Sequence, residues 1–143
     1  MNADIELLND IYQNSQVGRN TLKHFLKING DNEFHSVLDS QFQEYNTILD
    51  MAEQKKKELS NYGARGICAR KKVSTRLALH AGTLTDKSPS HMSEMLIEGN
   101  MLGVIDITKK LKMYKDAEGD ILSLGERLLA FEQQNIEACK RFL

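Results

Sequence analysis

The near absence of proline constrains the fold of this chain more than any other feature of its sequence. Pro89 is the only proline among 143 residues. Apolar residues recur at intervals of three and four along most of the chain, and strand-like alternation of β-branched residues is missing. Because steps of three and four place side chains on one helical face, the sequence predicts an all-α fold.

Four long stretches have this helical spacing. The first ends at Asn29 and Gly30, a typical C-terminal cap signal. The third is predicted to follow Pro89 with Ser90 as its N-cap, and the fourth to begin with Asp116 as its cap. The predicted inward positions are Leu8, Ile11, Ser15, Gly18, Leu22 and Phe25 in the first helix, Phe34, Leu38, Gln41, Tyr45, Ile48, Ala52 and Leu59 in the second, Met92, Met95, Leu96, Leu102, Ile105 and Leu111 in the third, and Ile121, Leu122, Leu128, Leu129, Ile136, Cys139 and Phe142 in the fourth.

The connections between these helices differ greatly in length. The second and third helices are separated by residues 63–90, whereas the other two connections are short turns. Two short turns and one long link are typical of ferritin-like bundles, in which a crossover joins two helical hairpins. We therefore predict one domain over residues 1–143, an antiparallel ferritin-like four-helix bundle with a long crossover between helices 2 and 3. Within the crossover, residues 70–84 have the spacing of a short amphipathic helix.

Composition excludes several classes of protein. Apolar residues make up 41% of the chain and charged residues 27%, as in ordinary globular proteins. No apolar run approaches the roughly 20 residues of a membrane-spanning helix, and the acidic N-terminus lacks the features of a signal peptide. Cys68 and Cys139 fit neither a redox pair nor a zinc spacing. The sequence thus predicts a cytoplasmic protein with reduced thiols and no membrane association.

The crossover is the basic part of the chain. Residues 63–90 contain six Lys and Arg residues but only one acidic residue. Clustered positive charge can attract phosphate or acidic partners, although a solvated link beside acidic helices is the simpler interpretation. The segment contains no aromatic residue on which bases could stack. Nucleic acid is therefore not a predicted partner.

Three glutamates occupy positions that suggest a metal site. Di-iron carboxylate bundles use one Glu from each of two helices and a Glu-x-x-His from each of the other two. Glu44, Glu98 and Glu132 share a helical register with apolar residues on the second, third and fourth helices. No Asp or Glu occurs from residue 11 to residue 30, so the first helix offers no ligand in its middle. The three carboxylates predict either a degenerate metal site or buried groups paired with polar neighbours.

Both histidine ligands of the di-iron pattern are missing. Thr47 stands three residues after Glu44, and Asn135 stands three residues after Glu132. Because residues three apart share a helical face, these are the positions that the ligand histidines would occupy.

Three segments carry a resemblance to a known family. Residues 90–100 (SHMSEMLIEGN), 103–106 (GVID) and 131–137 (FEQQNIE) resemble uncharacterised bacterial ferritin-like proteins of a domain of unknown function. The resemblance extends over the whole chain and implies a fold for which rubrerythrins and ferritins are distant analogues. It implies no settled activity. The di-iron ligand positions of those analogues correspond here only to Glu44, Glu98 and Glu132.

Two functional hypotheses follow. The first is a non-enzymatic bundle that has lost its di-iron site and acts by self-association or by binding a protein partner, with no cofactor. The second is an iron- or manganese-binding protein with weak oxidase or storage activity that uses the three glutamates. The sequence contains neither the GxSxG motif of hydrolases nor the GxxxxGK[ST] motif of nucleotide-binding loops. We therefore do not predict an enzyme of either class.

Overall fold

The computed structural model describes residues 2–28, 32–61 and 85–143, and these residues form helices without any strand. The prediction of an all-α fold is confirmed. The predicted helix at 70–84, most of the basic crossover, Cys68 and the cap signal at residues 29 and 30 lie outside the described residues. The helices are α1 (Ala3–Leu26), α2 (Asn32–Asn61), α3 (Pro89–Met113) and α4 (Gly119–Lys140).

The start of α3 differs from the prediction by two residues. The N-cap is Ser88, whose side-chain oxygen accepts a hydrogen bond from the backbone N–H of His91 at 3.2 Å. Pro89 is the first helical residue. A backbone N–H at this position has no partner within the helix, so proline, which lacks one, is tolerated there. Ser90 was the predicted cap and instead lies within the helix. The proline therefore begins the helix rather than only preceding it.

The N-terminus of α4 is capped by a side chain of another helix. Glu118 is the N-cap residue, and its side chain makes no capping hydrogen bond. Its backbone N–H donates to the carboxylate of Asp4 in α1 at 2.6 Å. Asp116, the predicted cap, lies in the turn before the helix, so that prediction is wrong. A contact between distant residues has replaced the local cap that the sequence suggested.

One hydrophobic core takes side chains from all four helices. The predicted inward positions of α1, α2 and α4 are all buried or half-buried. On α3 the prediction fails at Leu102 and Ile105, which are 52% and 51% exposed. The buried face of α3 instead includes Met92, Leu96 and Ile107. Both sets have helical spacing, and only the packing of α3 on α1 and α4 selects between them.

The helices pack as two extensive pairs, α1 with α2 and α3 with α4. Smaller contacts join α1 to α3, α1 to α4 and α2 to α4, whereas α2 and α3 make at most marginal contact over their described lengths. Within the described ranges, none of the helices combines the length and apolar character required to cross a bilayer.

Candidate functional site

The three glutamates proposed as metal ligands lie in three different environments. Glu44 forms a two-pronged ion pair with Arg127, with N–O distances of 2.8 and 2.9 Å. Glu98 is exposed on α3, whereas Glu132 is buried with only 2% of its surface accessible. Among the described residues, no group of three or more His, Cys, Asp or Glu side chains has an arrangement able to hold a metal ion. This donor set does not fit a di-iron centre.

Glu132 instead belongs to a cluster of polar side chains that joins all four helices. The Tyr45 hydroxyl oxygen lies 2.9 Å from Glu132 Oε2 and 3.4 Å from Asn100 Oδ1. Asn135 Nδ2 donates to the same Asn100 oxygen at 3.3 Å. Asn14 of α1 completes the set, which we call the central polar cluster: Asn14, Tyr45, Asn100, Glu132 and Asn135. Buried polar groups are stable only when they are hydrogen-bonded, and this cluster satisfies them mutually.

The Asn14 amide lies between the Glu132 carboxyl group and the backbone carbonyl of Gly103. With its NH2 group towards Glu132, the amide donates to Oε1 and Oε2 at 3.2 and 3.0 Å. In the opposite orientation it donates to the Gly103 carbonyl oxygen at 3.3 Å. The first orientation gives a buried carboxyl group two further hydrogen bonds, so we favour it.

Burial raises the pKa of Glu132 from 4.5 to about 8. The hydrogen bonds from Tyr45 and Asn14 oppose this increase, and the negative charge of Asp106 adds to it. A carboxyl group in this environment is mostly protonated at neutral pH, because desolvation disfavours its charged form. The pKa of Tyr45 is also raised, first by burial and then by the negative charge of ionised Glu132.

The geometry around Tyr45 agrees with a protonated Glu132. A phenol has one proton, so Tyr45 cannot donate to Glu132 and Asn100 at the same time. Both contacts are satisfied when the Glu132 carboxyl group donates to the Tyr45 oxygen and the phenol donates to Asn100. The cluster is then a neutral hydrogen-bonded chain that needs no buried counter-ion.

Two glycines make room for this chain of hydrogen bonds. A Cβ atom at Gly18 of α1 would lie 2.6 Å from the Tyr45 hydroxyl oxygen. A Cβ atom at Gly103 of α3 would lie 2.6 Å from both carboxyl oxygens of Glu132. A Cβ atom at either position would force the buried Tyr45 ring or the Glu132 carboxyl group to move, so the two mid-helix glycines permit their close approach.

The central polar cluster offers little space for a substrate. The cavity beside it is about 30 Å³ in volume and is lined by Gly18, Tyr45, Asn100 and Glu132 among others. This volume accommodates about one water molecule. The nearby thiol of Cys139 is buried, and burial raises its pKa, which keeps it in the unreactive thiol form. The side chains of the cluster are thus engaged with one another in the middle of the bundle.

An apolar stripe and a groove stand out on the surface of the described residues. The first is the α3 apolar stripe, which we define as Met101, Leu102 and Ile105, each between 51% and 52% exposed. The second is an open groove of about 740 Å³ between α2 and α4. Ion pairs on its walls, Glu33–Arg141 and Glu44–Arg127, join the two helices across this groove.

The sequence predicted inward positions for Tyr45, Glu132 and Asn135 but not for Asn14 or Asn100. Asn14 shares a helical face with Gly18, and Asn100 shares one with Gly103. A polar residue beside a glycine in the middle of an amphipathic helix was the available signal. That signal does not reveal which residues meet, because the contacts join helices far apart in sequence.

Comparison with known proteins gives no relative from which a function could be transferred. No protein-family model matches the chain, and neither a curated protein nor a solved structure matches it. The resemblance to ferritin-like proteins stays a prediction from the residues quoted above.

Proposed function

We propose that this chain is a non-enzymatic interaction module that binds another protein chain through the α3 apolar stripe. The observation that supports the proposal is the exposure of Met101, Leu102 and Ile105 together on one side of a helix. Contiguous exposed apolar side chains cost solvation free energy, and on folded proteins they typically mark interaction surfaces. Helix-to-helix packing through positions at steps of three and four is a common form of recognition.

The interior supports the same proposal. Every side chain of the central polar cluster is hydrogen-bonded within the protein. The cavity beside it is too small for an organic substrate. A module whose central polar cluster is satisfied internally and whose surface exposes an apolar stripe is suited to act by contact between surfaces.

We infer that the bundle is antiparallel, with a long crossover between α2 and α3. The pairs Glu33–Arg141 and Lys55–Glu118 support this topology, since the start of α2 meets the end of α4 and the end of α2 meets the start of α4. The marginal contact between α2 and α3 is what a crossover between diagonal helices of a bundle produces. Ferritin-like topology is accordingly part of the proposal.

Metal binding is the competing hypothesis, and it now depends on one buried carboxylate. Glu132 is the only one of the three glutamates that is buried, and its neighbours supply amide and phenol oxygens. Hard divalent cations prefer several carboxylate and carbonyl oxygens. Since Glu44 is paired with Arg127 and Glu98 is exposed, we favour the interaction module.

Site-specific photo-crosslinking tests the proposed function without assuming the partner. A benzophenone amino acid is placed at Leu102 or Ile105, and in a matched control at Glu126, which is exposed on α4. We expect irradiation in the native cell to give a discrete protein adduct at the two stripe positions and none at the control. Absence of an adduct at both stripe positions, in cells and with purified protein, would show that the stripe is not a binding surface.

A further inference from the structure

We propose that the partner of the α3 apolar stripe is the same stripe on a second copy of this chain, packed antiparallel about a two-fold axis. This inference rests on the proposed function and names its partner. The charges that flank the stripe on α3 favour this partner.

The charges on the exposed side of α3 are divided between its two halves. Glu94 and Glu98 precede the stripe, and Lys109 and Lys112 follow it, and all four are exposed. At 100° per residue, Glu98 and Lys109 point in nearly the same direction, which is also that of the stripe. The exposed face of α3 therefore carries acidic residues near its start, apolar residues in its middle and basic residues near its end.

An antiparallel pair of such faces is complementary in both charge and apolar contact. In an antiparallel pair, the residue numbers of any two facing residues add up to the same value, because the numbers rise along one helix and fall along the other. Placing Leu102 opposite Ile105 of the second copy also places Glu98 opposite Lys109 of the second copy. The two-fold axis repeats both contacts. A parallel arrangement would instead bring Glu98 to Glu98 and Lys109 to Lys109, which repel.

Glu94 lies 3.9 Å from the His91 ring nitrogen, whereas the other three charges are not engaged elsewhere in the described part of the chain. Glu98, Lys109 and Lys112 form no ion pair with any described residue. The adjacent Lys110 behaves differently, since its ammonium group lies 3.6 Å from a carboxylate oxygen of buried Asp10. Lys110 thus forms an ion pair within the bundle, while Lys109 and Lys112 remain available to a second copy.

The dimensions of the face indicate a weak dimer. From Glu94 to Lys112 the helix rises about 27 Å. A single helix face of that length buries less than the roughly 800 Å² per partner that is typical of stable complexes. We expect a concentration-dependent dimer with a dissociation constant in roughly the micromolar range.

Charge reversal tests the arrangement in sedimentation equilibrium at low ionic strength. In Glu98→Lys, and separately in Lys109→Glu, two attractive pairs per dimer become repulsive, and we expect each variant to weaken dimerisation by roughly tenfold. The double variant Glu98→Lys/Lys109→Glu restores both pairs and should return to the wild-type constant. An equimolar mixture of the two single variants should form a heterodimer of near wild-type affinity. Glu126→Lys, the same charge change on α4, should have no effect.

Each other outcome overturns the inference in a recognisable way. If Leu102→Ser/Ile105→Ser abolishes dimerisation but the charge reversals do not change it, the register is wrong while the proposed function stands. If single reversals weaken the dimer and the double variant does not recover, the antiparallel arrangement is wrong. A wild-type chain that is monomeric up to millimolar concentration, or photo-crosslinks only to a different protein, excludes a second copy as the partner.

Discussion

Replacing Glu132 with Gln tests the central polar cluster most directly. Gln has nearly the same shape as a protonated Glu and cannot ionise. Its NH2 group can donate to the Tyr45 oxygen, as the protonated carboxyl group does, and its carbonyl oxygen can accept from the Asn14 NH2 group. The substitution therefore removes the ionisation of a buried group while its hydrogen bonds are replaced.

The expected effect follows from the pKa of Glu132, which is 4.5 ordinarily and about 8 in the folded protein. As the pH rises above 4.5, the unfolded chain loses this proton while the folded protein keeps it. The folded state then binds more protons, so the free energy of unfolding falls with pH by at most about 1.4 kcal/mol per unit. The contribution of Glu132 to the free energy of unfolding is fully present below pH 4.5, and its loss levels off above pH 8. At pH 7 the loss from this group amounts to about 3 kcal/mol.

The Gln variant lacks this loss, so its stability relative to wild type should increase between pH 4.5 and pH 7. We expect a relative gain of about 3 kcal/mol, or on the order of 10 °C in melting temperature for a chain of this size. Urea unfolding of both proteins at half-unit steps from pH 4 to pH 9 measures the difference. Other titrating groups are shared by the two proteins and cancel.

Glu126→Gln on the exposed surface of α4 is the matched control and should run parallel to wild type. Parallel curves for wild type and Glu132→Gln over the whole range would refute the argument, because Glu132 would then ionise as it does in the unfolded chain. A Gln variant that loses stability equally at every pH would show instead that its amide does not replace the hydrogen bonds.

Three further outcomes follow from the same cluster. Gly103→Ala should lower the free energy of unfolding by about 1–3 kcal/mol, because its Cβ atom meets the Glu132 carboxyl group. The control Gly119→Ala should be neutral or slightly stabilising, because no atom lies within 4 Å of its Cβ position. Thermal unfolding distinguishes the two variants. Tyr45→Phe should cost about 1–3 kcal/mol in urea unfolding, since the buried partners of the hydroxyl lose a hydrogen bond, and an unchanged midpoint would contradict this role. Fe²⁺ or Mn²⁺ should leave the melting temperature of wild type unchanged, and a rise that disappears in Glu132→Ala would instead favour the metal hypothesis.

The sequence predicted the elements of the fold well where one helical face is much more apolar than the others. Phe34, Leu38 and Ile48 on α2 share such a face, and all three are buried. On α3 the apolar residues nearly surround the helix, so Leu102 and Ile105 fitted an inward stripe as well as Met92 and Leu96 did. Helical periodicity alone does not choose between two faces of similar character.

The candidate site was predicted only in part for a related reason. The inward position of Glu132 follows from its own helix, because it shares a stripe with Leu128 and Asn135. Its protonation, its contact with Tyr45 and the pairing of Glu44 with Arg127 depend on distances between helices. Local spacing contains no information on those distances.

The amino-acid sequence by itself determined that the described chain is helical and which residues line most of its core. These properties follow from the repeat of the helix, which acts within a few residues. The tertiary structure decided that Glu132 meets a phenol and amides, and that an apolar stripe on α3 faces outwards. Both depend on how each helix is rotated about its axis, which is set by the packing of all four helices together.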